Sequence, residues 1–237
     1  MKKRTIFFDA GETLIYRNPS LLTITDRFLK KNGININKKR LASVLNECAI
    51  SMKPVAESGS VPDSKKWEIY VSKIFKKLNV KDNKIMIKLR EHLKKGTSYR
   101  PFDDTKKTLK HLRKMGFKLG VISNASSELT GILKRTDIYD FFDGIIISEV
   151  AGHEKPDVMI FRKALEALKA TPEESIYIGD NFIADVKGAI KAGITPVWLH
   201  RKSKNSEFSY SGRADKNVFK IKKLSEIIKL MNEEGWI

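Results

Sequence analysis

One cysteine, Cys48, stands in a chain of 237 residues, so no intramolecular disulfide framework exists and the disulfide-stapled class of small secreted domains is excluded. Proline and glycine are sparse, at 7 and 14 residues, which argues against collagen-like and low-complexity chains. Long apolar runs are missing as well. The basic start Met1-Lys2-Lys3-Arg4 leads into an apolar run that stops at Asp9, short of the ~7–15 uninterrupted residues of a secretory leader, and no stretch reaches the ~20 of a membrane span. A reducing, cytoplasmic setting without membrane contact is the expectation. Acidic residues are few beside basic ones, 28 against 46, for a net charge of +18. The excess concentrates in residues 16–97, where 19 Lys and Arg face 7 Asp and Glu. Such a charge run reads first as a Lys-rich solvated surface and second as a field that draws anions toward a site.

What remains is 41% hydrophobic and 31% charged, the composition of a globular chain long enough to bury a sizeable core as one or two domains. Thr5 to Phe8 is a β-branched and aromatic run without alternation, which predicts a strand buried on both faces. From about Tyr16 to Thr97 the period becomes helical. Leu21, Leu22, Ile24, Phe28 and Leu29 form one stripe closed by Gly33, and Leu41, Val44, Leu45, Cys48 and Met52 a second. Trp67, Tyr70, Ile74, Phe75 and Leu78 form a third, and Ile85, Leu89 and Leu93 a fourth. A linker is expected near Pro54 to Pro62. After Thr97 helices and strands alternate, with strands at Phe117–Ile122, Ile145–Ile147, Ile176–Ile178 and Thr195–Leu199, and helices near 104–115, 128–136, 158–169 and 182–192. Lys222 to Trp236 predicts a closing helix. Alternation of this kind predicts an α/β fold with a parallel sheet covered by helices on both faces, its ligands bound beyond the carboxyl ends of the strands.

Those strand ends are where the chemically capable residues fall. Asp9 follows the first strand and Ser123-Asn124 the second. Lys155 lies in the loop Gly152-His153-Glu154-Lys155-Pro156-Asp157, and Asp180 and Asp185 follow the strand at Ile176–Ile178. A carboxylate nucleophile, a hydroxyl and an amide to hold anionic oxygens, a fixed cation, and further carboxylates for a hard metal ion suit a phosphoryl centre. The bland alternatives are a turn or helix-capping residue for Asp9, a plain strand-to-helix turn for Ser123-Asn124, a helix start and its exposed first turn for Asp180 and Asp185, and a surface residue for Lys155.

Four segments, in order, carry a resemblance: Phe7-Phe8-Asp9-Ala10-Gly11-Glu12-Thr13-Leu14, Val121-Ile122-Ser123-Asn124, Lys155-Pro156-Asp157, and Gly179-Asp180-Asn181-Phe182-Ile183-Ala184-Asp185. Together they resemble motifs one to four of haloacid dehalogenase superfamily hydrolases of the branch with a helical cap. The resemblance implies a Rossmann-like core of residues 1–15 plus 98–237 and an inserted four-helix cap of residues 16–97. It also implies catalysis by Asp9 and Lys155, phosphate binding by Ser123, Asn124 and Lys155, and Mg²⁺ held by Asp9, the Gly11 carbonyl, Asp180 and Asp185. The reaction implied is hydrolysis of a small anionic phosphorylated metabolite through an aspartyl-phosphate.

The departure is Gly11, where phosphatases of the superfamily carry a second Asp that protonates the leaving oxygen. Assistance of that kind is worth ~10²–10⁴ in rate. Glu12 reaching back, a cap residue such as His92, or a substrate that needs no acid, such as an acyl phosphate, would each meet the loss; His153 could contact substrate. Two other readings stand beside the phosphohydrolase: a metal-independent 2-haloacid dehalogenase, which the Gly179-Asp180 carboxylate argues against, and a catalytically weak anion- or nucleic-acid-binding protein. No aromatic-basic interleaving or recognition motif supports the last, and no sequence feature specifies an oligomeric state.

Overall fold

The computed structural model describes residues 2–57, 63–95, 98–201 and 218–237. They divide into two compact units, one of residues 1–16 and 100–237 and the other of residues 17–99.

The larger unit is built on a six-stranded sheet in the order β5-β4-β1-β6-β7-β8, all of whose pairings are parallel. Its strands are β1 (Thr5–Phe8), β4 (Lys118–Ser123), β5 (Gly144–Ile147), β6 (Ser175–Gly179), β7 (Thr195–Leu199) and β8 (Phe219–Ile221). Every residue of β1 and β6 is buried, the signature of central strands covered on both faces, and this is why neither shows polar–apolar alternation. One covering layer packs Phe7, Ile122 and Tyr177 of three adjacent strands on Ile160, Phe161, Ala164 and Leu168 of α8 (Val158–Leu168). Fully burying an aromatic or aliphatic side chain of this kind is worth about 1.5–3 kcal/mol. The first strand lies at the centre, the chain building outward on one side through β4 and β5 and on the other through β6, β7 and β8. The carboxyl end of β1 is therefore the topological switch point, where a parallel sheet opens a crevice.

The remaining helices of this unit are α5 (Thr105–Lys114), α6 (Glu128–Arg135), α7 (Ser148–Ala151), α9 (Gly188–Lys191) and α10 (Glu226–Glu233). Asp157 caps α8, its carboxylate accepting from Met159 N at 2.9 Å, as a short acidic side chain at a helix start does.

The second unit holds α1 (Leu21–Lys31), α2 (Lys38–Glu57), α3 (Asp63–Leu78) and α4 (Asn83–Lys95). Their stripes meet in one apolar cluster that includes Leu21, Ile24, Leu41, Leu45, Cys48, Ile74, Phe75, Leu89 and Leu93. Ser20 caps α1 through Thr23 N at 3.3 Å, and Gly33 closes it with a left-handed φ of 77°, the conformation glycine adopts without steric cost. Strands β2 (Ile15–Arg17) and β3 (Tyr99–Pro101) pair as a two-stranded ribbon where the chain leaves the larger unit and returns.

Several local expectations need correction. The linker expected from Pro54 begins later, because α2 continues through Pro54 to Glu57; residues 58–62 lie outside the described residues. The helix expected over 182–192 is divided into a π-helical segment, Phe182–Lys187, followed by the short α9. The closing helix is shorter than expected, and β8 precedes it. Strands β2, β3 and β8 are three residues each, too short for a period to register. No helix among the described residues is long and apolar enough to cross a membrane.

Candidate active site

Asp9 leaves the end of β1 with its N–H donated to Ile178 O at 2.9 Å, so the neighbouring strand β6 fixes where the carboxylate emerges. Lys155 arrives from the loop between α7 and α8 with its side chain 2% exposed. Its ammonium donates to Asp9 Oδ1 at 2.7 Å and to Asp185 Oδ1 at 2.6 Å. The alternative of a surface lysine is thereby excluded. The same holds for Asp185, which is 1% exposed and accepts Asn181 N on its second oxygen, Oδ2, at 2.8 Å. Asn181 also caps the π-helical segment, its side-chain oxygen accepting from Ile183 N and Ala184 N. Short π-helical segments of this kind are frequent at functional sites, and this one carries Asp185, whose carboxylate meets Lys155.

The Asn124 amide clasps the Lys155 backbone at both ends, donating to Lys155 O at 2.9 Å and accepting from Lys155 N at 2.8 Å. These two bonds use one N–H and one lone pair of the amide and leave its second N–H for another acceptor. Ser123, at the end of β4, is buried beside it. Thr13 donates its hydroxyl to Asp180 Oδ1 at 3.2 Å. Gly11 bridges to Ile15, and a Cβ added at Gly11 would meet no atom within 4 Å. Glu12 is half-buried with a left-handed φ of 55°. His153 pairs with Asp157 at 2.9 Å, and His92 rests on Phe28 with ring centroids 5.2 Å apart within the helical unit.

Asp9, Asp180 and Asp185 bring carboxylate oxygens to within 4.8 Å of one another. Burial raises the Asp9 carboxyl to about 6, Lys155 pulling it down and Asp185 pushing it up. Asp180 is raised well above the ordinary carboxylate range by burial first and then by the charges of Asp9, Asp185 and Glu12. Burial opposes the charge on Lys155, yet Asp185 and Asp9 together hold its pKa above the ordinary lysine value. Three carboxylates around one ammonium leave an excess of negative charge in a desolvated pocket. A hard divalent cation is the counter-charge such a set of oxygen donors fits. Lys155 and Tyr177 share Oδ1 of Asp185 and Asn181 N reaches Oδ2, which keeps a second lone pair, so each of the three carboxylates could contribute an oxygen to such an ion.

Three supporting groups escape the sequence. Tyr177, on β6, places its hydroxyl 2.7 Å from Lys155 Nζ. Arg201 donates to Thr13 O at 2.9 Å and to Asp104 Oδ1 at 2.9 Å, and its guanidinium lies 3.9 Å from the centre of the Phe102 ring. Asp104 in turn accepts Leu224 N at 2.7 Å. Tyr177 sits between two isoleucines in a buried run and reads as core, while the Arg201–Asp104 pair is separated by almost a hundred residues. Only the hydroxyl of Thr13, inside the first motif, had a signal in the sequence.

Gly179 carries a further structural demand. A Cβ at that position would lie 2.4 Å from Asp185 Cγ, a separation real Cβ atoms do not tolerate. Gly179→Ala is therefore expected to displace Asp185 from Lys155 and to destabilise the chain by about 1–3 kcal/mol, as overpacking does. Thermal melting of the variant checks this, and a melt superimposed on wild type would show that Asp185 gives way freely.

Residues 6–199 match the family described as haloacid dehalogenase-like hydrolase. The chain belongs to this family. This hydrolase is 26% identical over 240 residues to the glyceraldehyde 3-phosphate phosphatase of Methanothermobacter thermautotrophicus, covering 96% of its own length and 99% of the relative's. Its fold matches that of the Bacillus subtilis hydrolase YfnB, crystallised with magnesium, with a TM-score of 0.79 at 20% identity over 98% of this chain and 100% of that one. The L-2-haloacid dehalogenase RSc1362 gives a TM-score of 0.71 at 16% identity, over 98% of this chain and 100% of that one. These two likenesses concern the fold alone.

Proposed function

We propose that this hydrolase is a metal-dependent phosphatase of small phosphorylated metabolites, with the helical unit, residues 17–99, as its cap. The observation that carries the reading is the cluster of three carboxylates within 4.8 Å beside a buried lysine that contacts two of them. The full-length likeness to a glyceraldehyde 3-phosphate phosphatase supports phosphate esters, the triose phosphates among them, as the substrate class. The dehalogenase reading is less well supported, because Asp180 completes a set of three carboxylates that fits a divalent cation, which a metal-independent displacement at carbon does not use.

In the proposed chemistry an oxygen of Asp9 attacks phosphorus, a P–O bond forms to the carboxylate, and the bond to the leaving oxygen breaks with its electron pair. Water then cleaves the aspartyl-phosphate and restores Asp9. Lys155 holds Asp9 in direction and balances its charge, Ser123 contributes a hydroxyl donor to the phosphoryl oxygens, and Asn124 keeps Lys155 in position. Asp9, Asp180 and Asp185, with the Gly11 carbonyl, would hold a Mg²⁺ ion, and Asp185 also acts through Lys155. When bound, such an ion supplies positive charge to the phosphoryl oxygens. Glu12, whose charge Asp180 already feels, is the candidate substitute for the proton donor that Gly11 lacks.

Phosphate release from glyceraldehyde 3-phosphate, p-nitrophenyl phosphate and acetyl phosphate, each with Mg²⁺ and with chelator, tests the reading. Release that depends on Mg²⁺ supports it, and no release from any of the three overturns it. The open space beside Gly11 allows a sharper version. Gly11→Asp is expected to raise turnover of unactivated alkyl phosphates by ~10²-fold, the gain general acid assistance supplies, and to leave acetyl phosphate, whose leaving group needs no proton, near its starting rate. Equal effects on both substrates would show that the missing acid is not what limits the enzyme.

A further inference from the structure

We infer that Tyr177 is a positioning residue, whose hydroxyl sets the direction of the Lys155 ammonium and through it the direction of the Asp9 carboxylate. The inference rests on the proposed role of Asp9 as nucleophile.

An ammonium carries three N–H donors on a flexible four-carbon stem. Lys155 Nζ has three acceptors around it: Asp9 Oδ1 at 2.7 Å, Asp185 Oδ1 at 2.6 Å and the Tyr177 hydroxyl at 2.7 Å. Every N–H therefore has an assigned direction. The two carboxylates balance the charge, but two contacts leave a tetrahedral group free to swing about the line joining them. The third removes that freedom. A neutral oxygen suits the position, since a third carboxylate would add repulsion and an apolar group would strand an N–H in a buried place.

The hydroxyl itself is held from two sides. With its oxygen accepting from Lys155, its proton has Asp185 Oδ1 at 2.9 Å and Ile122 O at 3.1 Å as acceptors. Tyr177 lies on β6 and Ile122 on β4, the two strands that flank β1, and Asp9 stands at the end of β1. One phenol thus spans the strand of the nucleophile and ties the lysine tip to both neighbours. The ring is rigid as well. It is 1% exposed, lies in register with Phe7, and meets Phe161 edge-on at 5.2 Å between centroids. Asn124 fixes the backbone of Lys155 and Tyr177 fixes the tip, so the long stem between them is restrained at both ends. Small displacements of a reacting group carry large rate penalties, about 10²-fold for 1 Å.

Tyr177→Phe keeps the ring and its packing and removes only the oxygen. With Mg²⁺ and p-nitrophenyl phosphate, the expected result is a fall in kcat of about 10- to 100-fold with KM within about twofold and secondary structure unchanged. Leu165→Val disturbs the same packing layer and leaves the edge-on contact of Phe161 with Tyr177 in place, and it is expected to leave kcat within about twofold. A kcat unchanged in Tyr177→Phe overturns the inference, and so does an equal fall in both variants, which would make the effect one of packing. A readout independent of turnover is the ¹H–¹⁵N signal of the Lys155 ammonium, identified by its absence in Lys155→Met. It should be sharp in wild type and broadened by exchange in Tyr177→Phe; a signal equally sharp in both overturns the inference even if wild type releases no phosphate. Loss of wild-type activity alone would instead overturn the phosphatase reading.

Discussion

Asp9→Asn is expected to lower phosphate release by ~10⁴-fold or more, the scale on which enzymes lose turnover when a covalent nucleophile is removed. The asparagine amide has nearly the shape of the carboxylate and still offers Lys155 an oxygen, so the loss reports chemistry rather than collapse of the site. Stability is expected to move in the opposite direction. The folded Asp9 carboxyl titrates at about 6, above the ordinary 3.8, chiefly because it is buried. The folded state therefore binds this proton more tightly than the unfolded chain, and stability falls as pH rises from 3.8 through 6. Above that window the ionised carboxylate costs on the order of 2–3 kcal/mol, and below it the cost is absent. Asn carries no such cost. The variant should melt at or above the wild-type temperature at pH 8 in the presence of chelator, with the difference shrinking toward pH 4. The same titration predicts that metal-free Asp9 loses its nucleophilic form about tenfold per pH unit below 6, and a bound divalent cation should shift that limb to lower pH. Residual turnover within tenfold of wild type would remove Asp9 from the role of nucleophile.

Lys155→Met should produce the largest loss of stability. The lysine is the partner of two carboxylates that are 12% and 1% exposed, and removing one member of a buried ionic cluster leaves uncompensated charge at a cost of about 3–5 kcal/mol. For a chain of this size that corresponds to a fall in melting temperature of ~6–20 °C. The wild-type lysine is held above its ordinary pKa, so its stabilising contribution is fully present below 10.5 and is lost only as pH rises past the folded value. In the variant the sign of the pH dependence follows from the carboxylates. Without the ammonium, which lowers the Asp9 pKa, Asp9 takes up its proton at higher pH, so the deficit should be greatest near pH 8 and narrow as pH falls toward 5. Added Mg²⁺ should narrow it as well. Melting curves at pH 5, 6.5 and 8 with and without Mg²⁺ separate these effects, and a deficit that is the same at all three would mean lost packing of the lysine stem rather than lost charge.

Much of this architecture is legible residue by residue. The strands at Thr5–Phe8 and Thr195–Leu199 appear where β-branched and apolar runs predict them. The four helices of residues 17–99 follow their apolar stripes into a single core. Asp9, Ser123 and Asp180 are recognisable because each closes an apolar run with a residue the core would not otherwise accept, and Lys155 because it stands before Pro156-Asp157 in the third of four motifs. Elements of three residues and the π-helical segment are not legible, since a period needs several residues to show and a π-turn has no propensity of its own.

The sequence by itself determined which groups are available: a carboxylate at the end of the first strand, a hydroxyl and an amide at the end of the second, a lysine in a later loop, further acids that suit a cation, and glycine where a second acid would stand. Only the tertiary structure decided how those groups divide the work. It turned Asn124 toward the Lys155 backbone, gave both oxygens of Asp185 to protein donors, and recruited Tyr177 and Arg201 from segments that read as core and loop. The physical reason is the separation between partners. Lys155 meets Asp9 across 146 positions and Arg201 meets Thr13 across 188, and local propensity acts over a few residues, whereas the order and register of a parallel sheet choose which distant side chains share a desolvated space.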